Sequence, residues 1–164
     1  DIYCEKYADE TELMLQKNNM SEAEREEFLD RFSEESDRTL VAFGIMGGIF
    51  GEGIDLKNDR LIGAIVVGTG LPQISNERTI LKDYYDAENG CGFDYAFRYP
   101  GINKVLQAAG RVIRTTEDTG VILLLDERFW QREYDLLYPR EWSDRKPCNI
   151  ENVGKLVADF WEQI

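Results

Sequence analysis

Short apolar runs and amphipathic stretches alternate along this chain. Residues 12–16 are a brief apolar run that ends at the Asn18-Asn19 turn. Residues 39–46 (Thr-Leu-Val-Ala-Phe-Gly-Ile-Met) and 61–67 (Leu-Ile-Gly-Ala-Ile-Val-Val) are almost continuously apolar, and residues 121–125 (Val-Ile-Leu-Leu-Leu) wholly so. Runs of this length, rich in branched side chains, are expected of strands covered on both faces. The stretches between them have helical character. Residues 2–8 read as the end of a helix. Ser21 with Glu24 three residues on is a capping box, opening a helix with Phe28, Leu29 and Phe32 on its inner face. A polar helix is expected over residues 75–87, broken by Asn89-Gly90-Cys91-Gly92. Phe93, Tyr95, Phe97 and Tyr99 then alternate up to Pro100, a residue suited to a first helical turn. The helix expected from there carries residues 107–114. Asp118-Thr-Gly120 turns into the strand at 121–125, and Asp126-Glu127-Arg128 follows it. Next come a helix with Trp130, Tyr134 and Leu137, a loop marked by Pro139 and Pro147, and a closing amphipathic helix over 150–163.

Buried strands alternating with helices predict an α/β fold, a three-layer α/β/α arrangement around a mostly parallel sheet. Residues 1–138 are expected to form one lobe, with residues 139–164 as a loop and helix packed on it. The chain has 164 residues, enough for one real core. No stretch approaches the length of an apolar membrane span. The acidic N-terminus shows no signal-peptide pattern and no initiator Met, so the chain reads as an excerpt of something longer or a processed product.

Charge and residue inventory narrow the chemistry. The net charge is −13, of which residues 1–37, with 13 acidic and 4 basic side chains, contribute −9. A strong autonomous nucleic-acid binder is expected to be basic, so charge argues against that role while leaving room for a local phosphate track. There is no His, which excludes Ser-His-Asp and Cys-His catalysis. Cys4, Cys91 and Cys148 are far apart and none is in CxxC spacing, so no zinc site is expected; reduced thiols in a cytoplasmic protein are.

Two stretches invite a ligand. In a parallel α/β sheet, ligands gather beyond the carboxyl ends of the strands. There, after the run at 39–46, lies Gly47-Gly48-Ile-Phe-Gly51-Glu52-Gly53-Ile-Asp55. Its glycines serve either turn geometry or an anion nest of backbone N–H groups. Glu52 and Asp55 would repel a phosphate but suit a ribose hydroxyl or an arginine. The second stretch is Gln107-Ala-Ala-Gly110-Arg111-Val-Ile-Arg114. As a helix it places Gln107, Arg111 and Arg114 on one face with Gly110 beside them. Two always-charged guanidiniums one turn apart suit a phosphate. No Walker A motif is present: Gly154-Lys155 is followed by Leu156, and Asn149 stands where its first glycine would be. Residues 121–127 imitate a Walker B strand, but without a phosphate loop in the same lobe they read as an ordinary buried strand with a polar end. The alternating aromatics suit either base stacking or packing against the domain body.

Together these segments resemble the second RecA-like lobe of superfamily 2 DNA helicases, in particular the DinG/XPD branch. Gly48-Ile-Phe-Gly-Glu52-Gly53-Ile-Asp55 is similar to its motif V, and Gln107 through Arg114 to its motif VI, Gln-x-x-Gly-Arg-x-x-Arg. Asp126-Glu-Arg128-Phe129 is similar to the segment that closes the lobe, and Met20-Ser21 through Phe32 to the helix before motif V. The resemblance covers about residues 12–129. It implies that Arg111 and Arg114 act as arginine fingers toward ATP and Mg2+ held mainly on a first lobe of the same polypeptide. Gln107, Gly110, Gly53, Asp55 and Glu52 would face or sense the nucleotide. Gly48, Gly51, Thr69 and Gly70 would touch phosphates of single-stranded or forked DNA without reading sequence. It further implies 5′–3′ movement, a role in DNA repair or replication, a cytoplasmic or nucleoid location and no membrane. The lobe's first strand would be absent, and any iron–sulfur cluster would lie in the first lobe, outside this chain. The rival reading is an acidic α/β interaction module derived from such a lobe and without motor activity.

Overall fold

A computed structural model describes residues 2–7, 9–33, 36–48 and 61–164. The chain divides into two compact units, Asp1–Asp126 and Glu127–Ile164. The first holds every strand seen among the described residues: β1 (Thr11–Leu15), β2 (Thr39–Phe43), β3 (Gly63–Val67) and β4 (Val121–Leu125). Its helices are α1 (Ile2–Tyr7), α2 (Glu22–Asp30), α3 (Asn76–Asn89) and α4 (Tyr99–Ala109). The pairing is parallel, as expected. It takes the form of two pairs, β1 with β2 and β3 with β4, in register from Thr11↔Thr39 and from Gly63↔Val121. Parallel neighbours need a long crossover; α2 lies between β1 and β2 in sequence, and α3 and α4 between β3 and β4.

Local chemistry explains where these elements start. The Ser21 side chain accepts the Glu24 N–H while the Glu24 carboxylate accepts the Ser21 N–H at 2.7 Å, closing the predicted box. The Ser21 N–H and then its hydroxyl, both donating to that carboxylate, hold the Glu24 carboxyl below its ordinary range. Ser75 caps α3 through the Arg78 N–H, and Gly90, left-handed at φ 73°, ends that helix. Strand β2 is shorter than the apolar run that encodes it: it stops at Phe43, and the turn that follows places the Gly48 N–H on Ile45 O at 2.8 Å.

The alternating aromatics do not form an extended segment. They form a π-helical turn, Asp94–Arg98, in which the Tyr99 N–H donates to the Asp94 carbonyl five residues back. A helical turn brings every fourth residue together, so Phe93 stacks on Phe97 and Tyr95 meets Tyr99 edge-on. Tyr85 of α3 stacks on Tyr95 at 4.0 Å. This turn leads straight into α4, which packs on β3. Ile102, Val105 and Ala109 repeat at helical spacing and are buried. On β3, Val66 is buried, whereas Ile65 and Val67 point the other way and are exposed among the described residues.

In the second unit, the single helix expected after Asp126 is instead a 3-10 turn (Glu127–Trp130) followed by the short α5 (Arg132–Asp135). Phe129 and Tyr134 are buried and meet edge-to-face. Tyr138 donates its hydroxyl to the Phe129 carbonyl at 2.8 Å, and burial pushes its pKa up to about 12. The Arg145 guanidinium lies over the Tyr138 ring and pairs with Asp135. The closing helix is α6 (Val153–Trp161).

Candidate functional site

Three segments converge at one end of the first unit: the turn after β2, the loop after β3, and the start of α4. Gly70 has φ +67°, a left-handed conformation that favours glycine. A Cβ on Gly70 would lie 2.7 Å from Gly101 O and 2.8 Å from Met46 Sδ. A Cβ on Gly101 would in turn lie 2.6 Å from Thr69 O. The two glycines therefore let the loop after β3 cross the first turn of α4 backbone against backbone. One turn further along α4, Lys104 reaches the turn after β2: a Cβ on Gly47 would lie 3.6 Å from its Cδ and Cε and 3.9 Å from its Nζ. Gly48 and Gly70, both expected to touch nucleic acid, are thus drawn to the same end of one helix.

Thr69 stands differently from expectation. It is 1% exposed, and its Oγ1 is buried with no hydrogen-bond partner among the described residues. Its backbone lies against Gly101, while Gly70 remains half-exposed. Gly51, Glu52, Gly53 and Asp55 lie outside the described residues.

The arginine segment sits at the other end of α4, roughly 15 Å along the axis from Gly101 at 1.5 Å per residue. The segment is not a continuous helix. Helix α4 ends at Ala109. Gln107 is exposed in its last turn, and Gly110 is exposed with ordinary right-handed dihedrals. Beyond it the hydrogen bonding tightens: Arg111 N–H donates to Ala108 O at 3.2 Å and Val112 N–H to Ala109 O at 3.0 Å. Arg111 and Arg114 are half-buried and lie past the helix end, so the face they were expected to share with Gln107 is replaced by a turn.

Packing and a carboxylate help to hold that turn. Val112 is buried, and a Cβ on Gly120 would stand 2.4 Å from its Cγ1, so the backbone at 120 is pressed against it. Asp118 accepts the N–H of Arg114 at 2.9 Å and of Thr115 at 2.7 Å. Asp118 is a positioning residue that the sequence signalled only as an acid shortly after the arginines. Its pKa is lowered, first by the Arg114 N–H and then by that of Thr115, with the Arg114 charge contributing least. A carboxylate lowered in the folded state stabilises above its ordinary value of 3.8, and that stabilisation is lost as pH falls through the lower folded value. The amide resonances of Arg114 and Thr115 are therefore expected to titrate below 3.8 in the wild type and not in Asp118→Asn. Identical titrations in both proteins would show that Asp118 does not hold the turn.

The polar residues at this end of α4 are the half-buried Arg111 and Arg114 and the exposed Gln107. Among the described residues no cluster of His, Cys, Asp or Glu is arranged to hold a metal, and no helix is long and apolar enough to cross a membrane.

A parallel α/β lobe with a Gln-x-x-Gly-Arg-x-x-Arg turn at the end of one helix is consistent with a RecA-like helicase lobe. The chain belongs to the helicase C-terminal domain family, whose model matches residues 3–145. It is the C-terminal lobe of a DinG/XPD-like superfamily 2 helicase. It is 33% identical over 145 residues to the ATP-dependent DNA helicase XPD of Sulfolobus acidocaldarius, covering 82% of this chain and 24% of that protein. It is 30% identical over 143 residues to the regulator of telomere elongation helicase 1 of Bos taurus, covering 82% of this chain and 12% of that protein. A solved XPD helicase shares the fold with a TM-score of 0.60 at 23% identity, over 76% of this chain and 22% of that one. The chain thus spans a quarter or less of these relatives.

Proposed function

We propose that the chain is the second motor lobe of an ATP-dependent DNA helicase. In this reading Arg111 and Arg114 meet the γ-phosphate of ATP bound with Mg2+ on a first RecA-like lobe of the same polypeptide. The observation that carries it is the arginine turn, with Arg111 and Arg114 half-buried past the end of α4, Gln107 exposed in the helix's last turn, and the backbone held by Asp118 and Val112. A guanidinium that meets a transferring phosphoryl group stabilises the charge that develops on it. The nucleotide chemistry is supplied by ATP and its metal on the other lobe; this chain's residues orient and neutralise.

Gly48 and Gly70, at the far end of α4, would give backbone contacts to one DNA strand. Gly51, Glu52, Gly53 and Asp55 would link that track to the nucleotide, with Gly110 giving the nucleotide room beside Arg111. Cycles of closure on ATP would step the two lobes along single-stranded or forked DNA, 5′ to 3′, in repair or replication. Such a protein works where the DNA is, in the cytoplasm and at the nucleoid in a bacterium. An interaction module would have no use for two arginines fixed beside a glutamine and a glycine.

The 164-residue chain by itself is expected to hydrolyse no ATP, with or without single-stranded DNA, while the complete polypeptide shows strand-stimulated turnover. Steady-state phosphate release measures both. Turnover by the purified chain alone would mean that it holds a whole site and would overturn the reading.

A further inference from the structure

The arginine turn runs into a loop that carries a hydroxyl of its own. Residues 113–120, between α4 and β4, form neither helix nor strand. Thr115 lies there, exposed, directly after Arg114, with Glu117 and Asp118 following. Its side chain takes part in holding the turn. Thr115 Oγ1 accepts the Glu117 N–H at 3.3 Å, and the same side chain hydrogen-bonds the Asp118 carboxylate. That carboxylate also accepts the backbone N–H groups of Arg114 and Thr115 at 2.9 and 2.7 Å. The charge of Arg114 is felt at Asp118 as well, so hydroxyl, carboxylate and arginine share one neighbourhood.

Electrostatics fixes what a phosphate on this hydroxyl would do. A phosphoryl group brings a charge of about −1.5 to −2 and three strong acceptor oxygens. Joined to Thr115 Oγ1, it would stand against the Asp118 carboxylate, and like charges that close repel. Asp118 would be driven off the two N–H groups that it holds. The same group would offer Arg111 and Arg114 an anion on their own chain, through the charge-assisted bonds that a triphosphate would otherwise receive. Both effects draw the guanidiniums away from nucleotide. The setting also suits a modifying enzyme. An exposed irregular segment can enter a peptide groove, and acids two and three residues past the hydroxyl complement a groove with basic walls.

We infer that Thr115 is a phosphorylation site that switches the lobe off. A protein kinase with ATP as donor would transfer the γ-phosphoryl group to Oγ1. The bond from the γ-phosphorus to the β–γ bridging oxygen breaks, the new P–Oγ1 bond forms, the hydroxyl proton passes to the kinase's base, and ADP leaves. The modified turn then satisfies its arginines from within, and charge developing on ATP at the first lobe goes unanswered. This rests on the finger reading of Arg111 and Arg114 and adds its regulation.

The test uses the complete polypeptide that carries this lobe, made with phosphothreonine at position 115. Phosphoserine at position 143, exposed in the second unit, is the charge control. The modification at 115 is expected to lower strand-stimulated kcat by between about tenfold and the roughly 10³-fold of losing a finger outright. The affinity for a fluorescent ATP analogue and the thermal midpoint should stay close to wild type, and a phosphatase should restore turnover. By phosphorus NMR the group should titrate below its ordinary second value of about 6, and return toward it when Arg114→Gln is added. An acid-directed serine/threonine kinase with ATP should label the unmodified protein at Thr115, read by fragment mass. Wild-type kcat with phosphate at 115, or no label there, would overturn the switch and leave the helicase reading standing. An equal loss from phosphate at 143, or a collapsed melt, would assign the effect to charge at large or to unfolding and overturn it as well. An unmodified polypeptide without strand-stimulated turnover would end the finger reading and the switch with it.

Discussion

Arg111→Ala and Arg114→Ala, each in the complete polypeptide, are expected to lower strand-stimulated ATP turnover by about 10³-fold or more. At room temperature that is about 4 kcal/mol of lost transition-state stabilisation. The physical reason is charge. As the γ-phosphoryl group leaves, negative charge spreads over its oxygens, and a guanidinium held in place answers it without reorganising. Binding of ATP in the ground state should suffer less, since the triphosphate is gripped elsewhere. Arg→Lys should rescue poorly, because a point charge cannot reproduce the planar fork. Folding should be spared: both residues are only half-buried, and the Val112 packing and the bond to the backbone N–H of residue 114 stay in place in either variant. Single-turnover phosphate release together with a thermal melt of each variant separates the two effects. Wild-type turnover in both variants would remove the finger assignment; a collapsed melt would show that the arginines act structurally.

The parts of this fold legible in the sequence are those set by near neighbours. Ser21 with Glu24, Ser75 before α3 and Gly90 after it are local hydrogen-bonding or dihedral signals, and each sits where its residue type predicts. The apolar runs likewise locate the four strands seen among the described residues. What was not legible depends on contacts between residues distant in sequence. Ala108-Ala109-Gly110-Arg111 has nothing in it that must stop a helix; the turn is held instead by Asp118 and by Val112 pressed against Gly120. The alternation of Phe93, Tyr95, Phe97 and Tyr99 has a period of two, but their stacking partners lie four apart, so the pattern misstates the backbone. Thr69 reads as a loop hydroxyl and is buried, with Gly101, 32 residues on, set against its backbone.

The seating of α4 gives the second large effect. Gly101→Ala is expected to destabilise the lobe by about 2–3 kcal/mol and to lower its thermal midpoint by roughly 5–10 °C. Helix propensity alone predicts the reverse, because replacing Gly by Ala inside a helix gains up to about 1 kcal/mol. At position 101 the added carbon meets Thr69 O at 2.6 Å and Gly70 C at 3.2 Å. Both are backbone atoms, which cannot swing aside as a side-chain tip would. The helix must lift off the loop after β3, and Ile102 and Val105, buried in the adjoining turn, lift with it. Gly154→Ala in α6 is the matched control: a Cβ there meets nothing within 4 Å, so this change should be neutral or mildly stabilising. Gly70→Ala should cost at least as much as Gly101→Ala, since it adds left-handed strain at φ +67° to contact with Gly101 O. The two substitutions crowd the same gap, so the double variant should fall short of the sum of its parts. If Gly101→Ala melted at or above the wild-type temperature while Gly154→Ala behaved as expected, the backbone crossing would not be what seats α4.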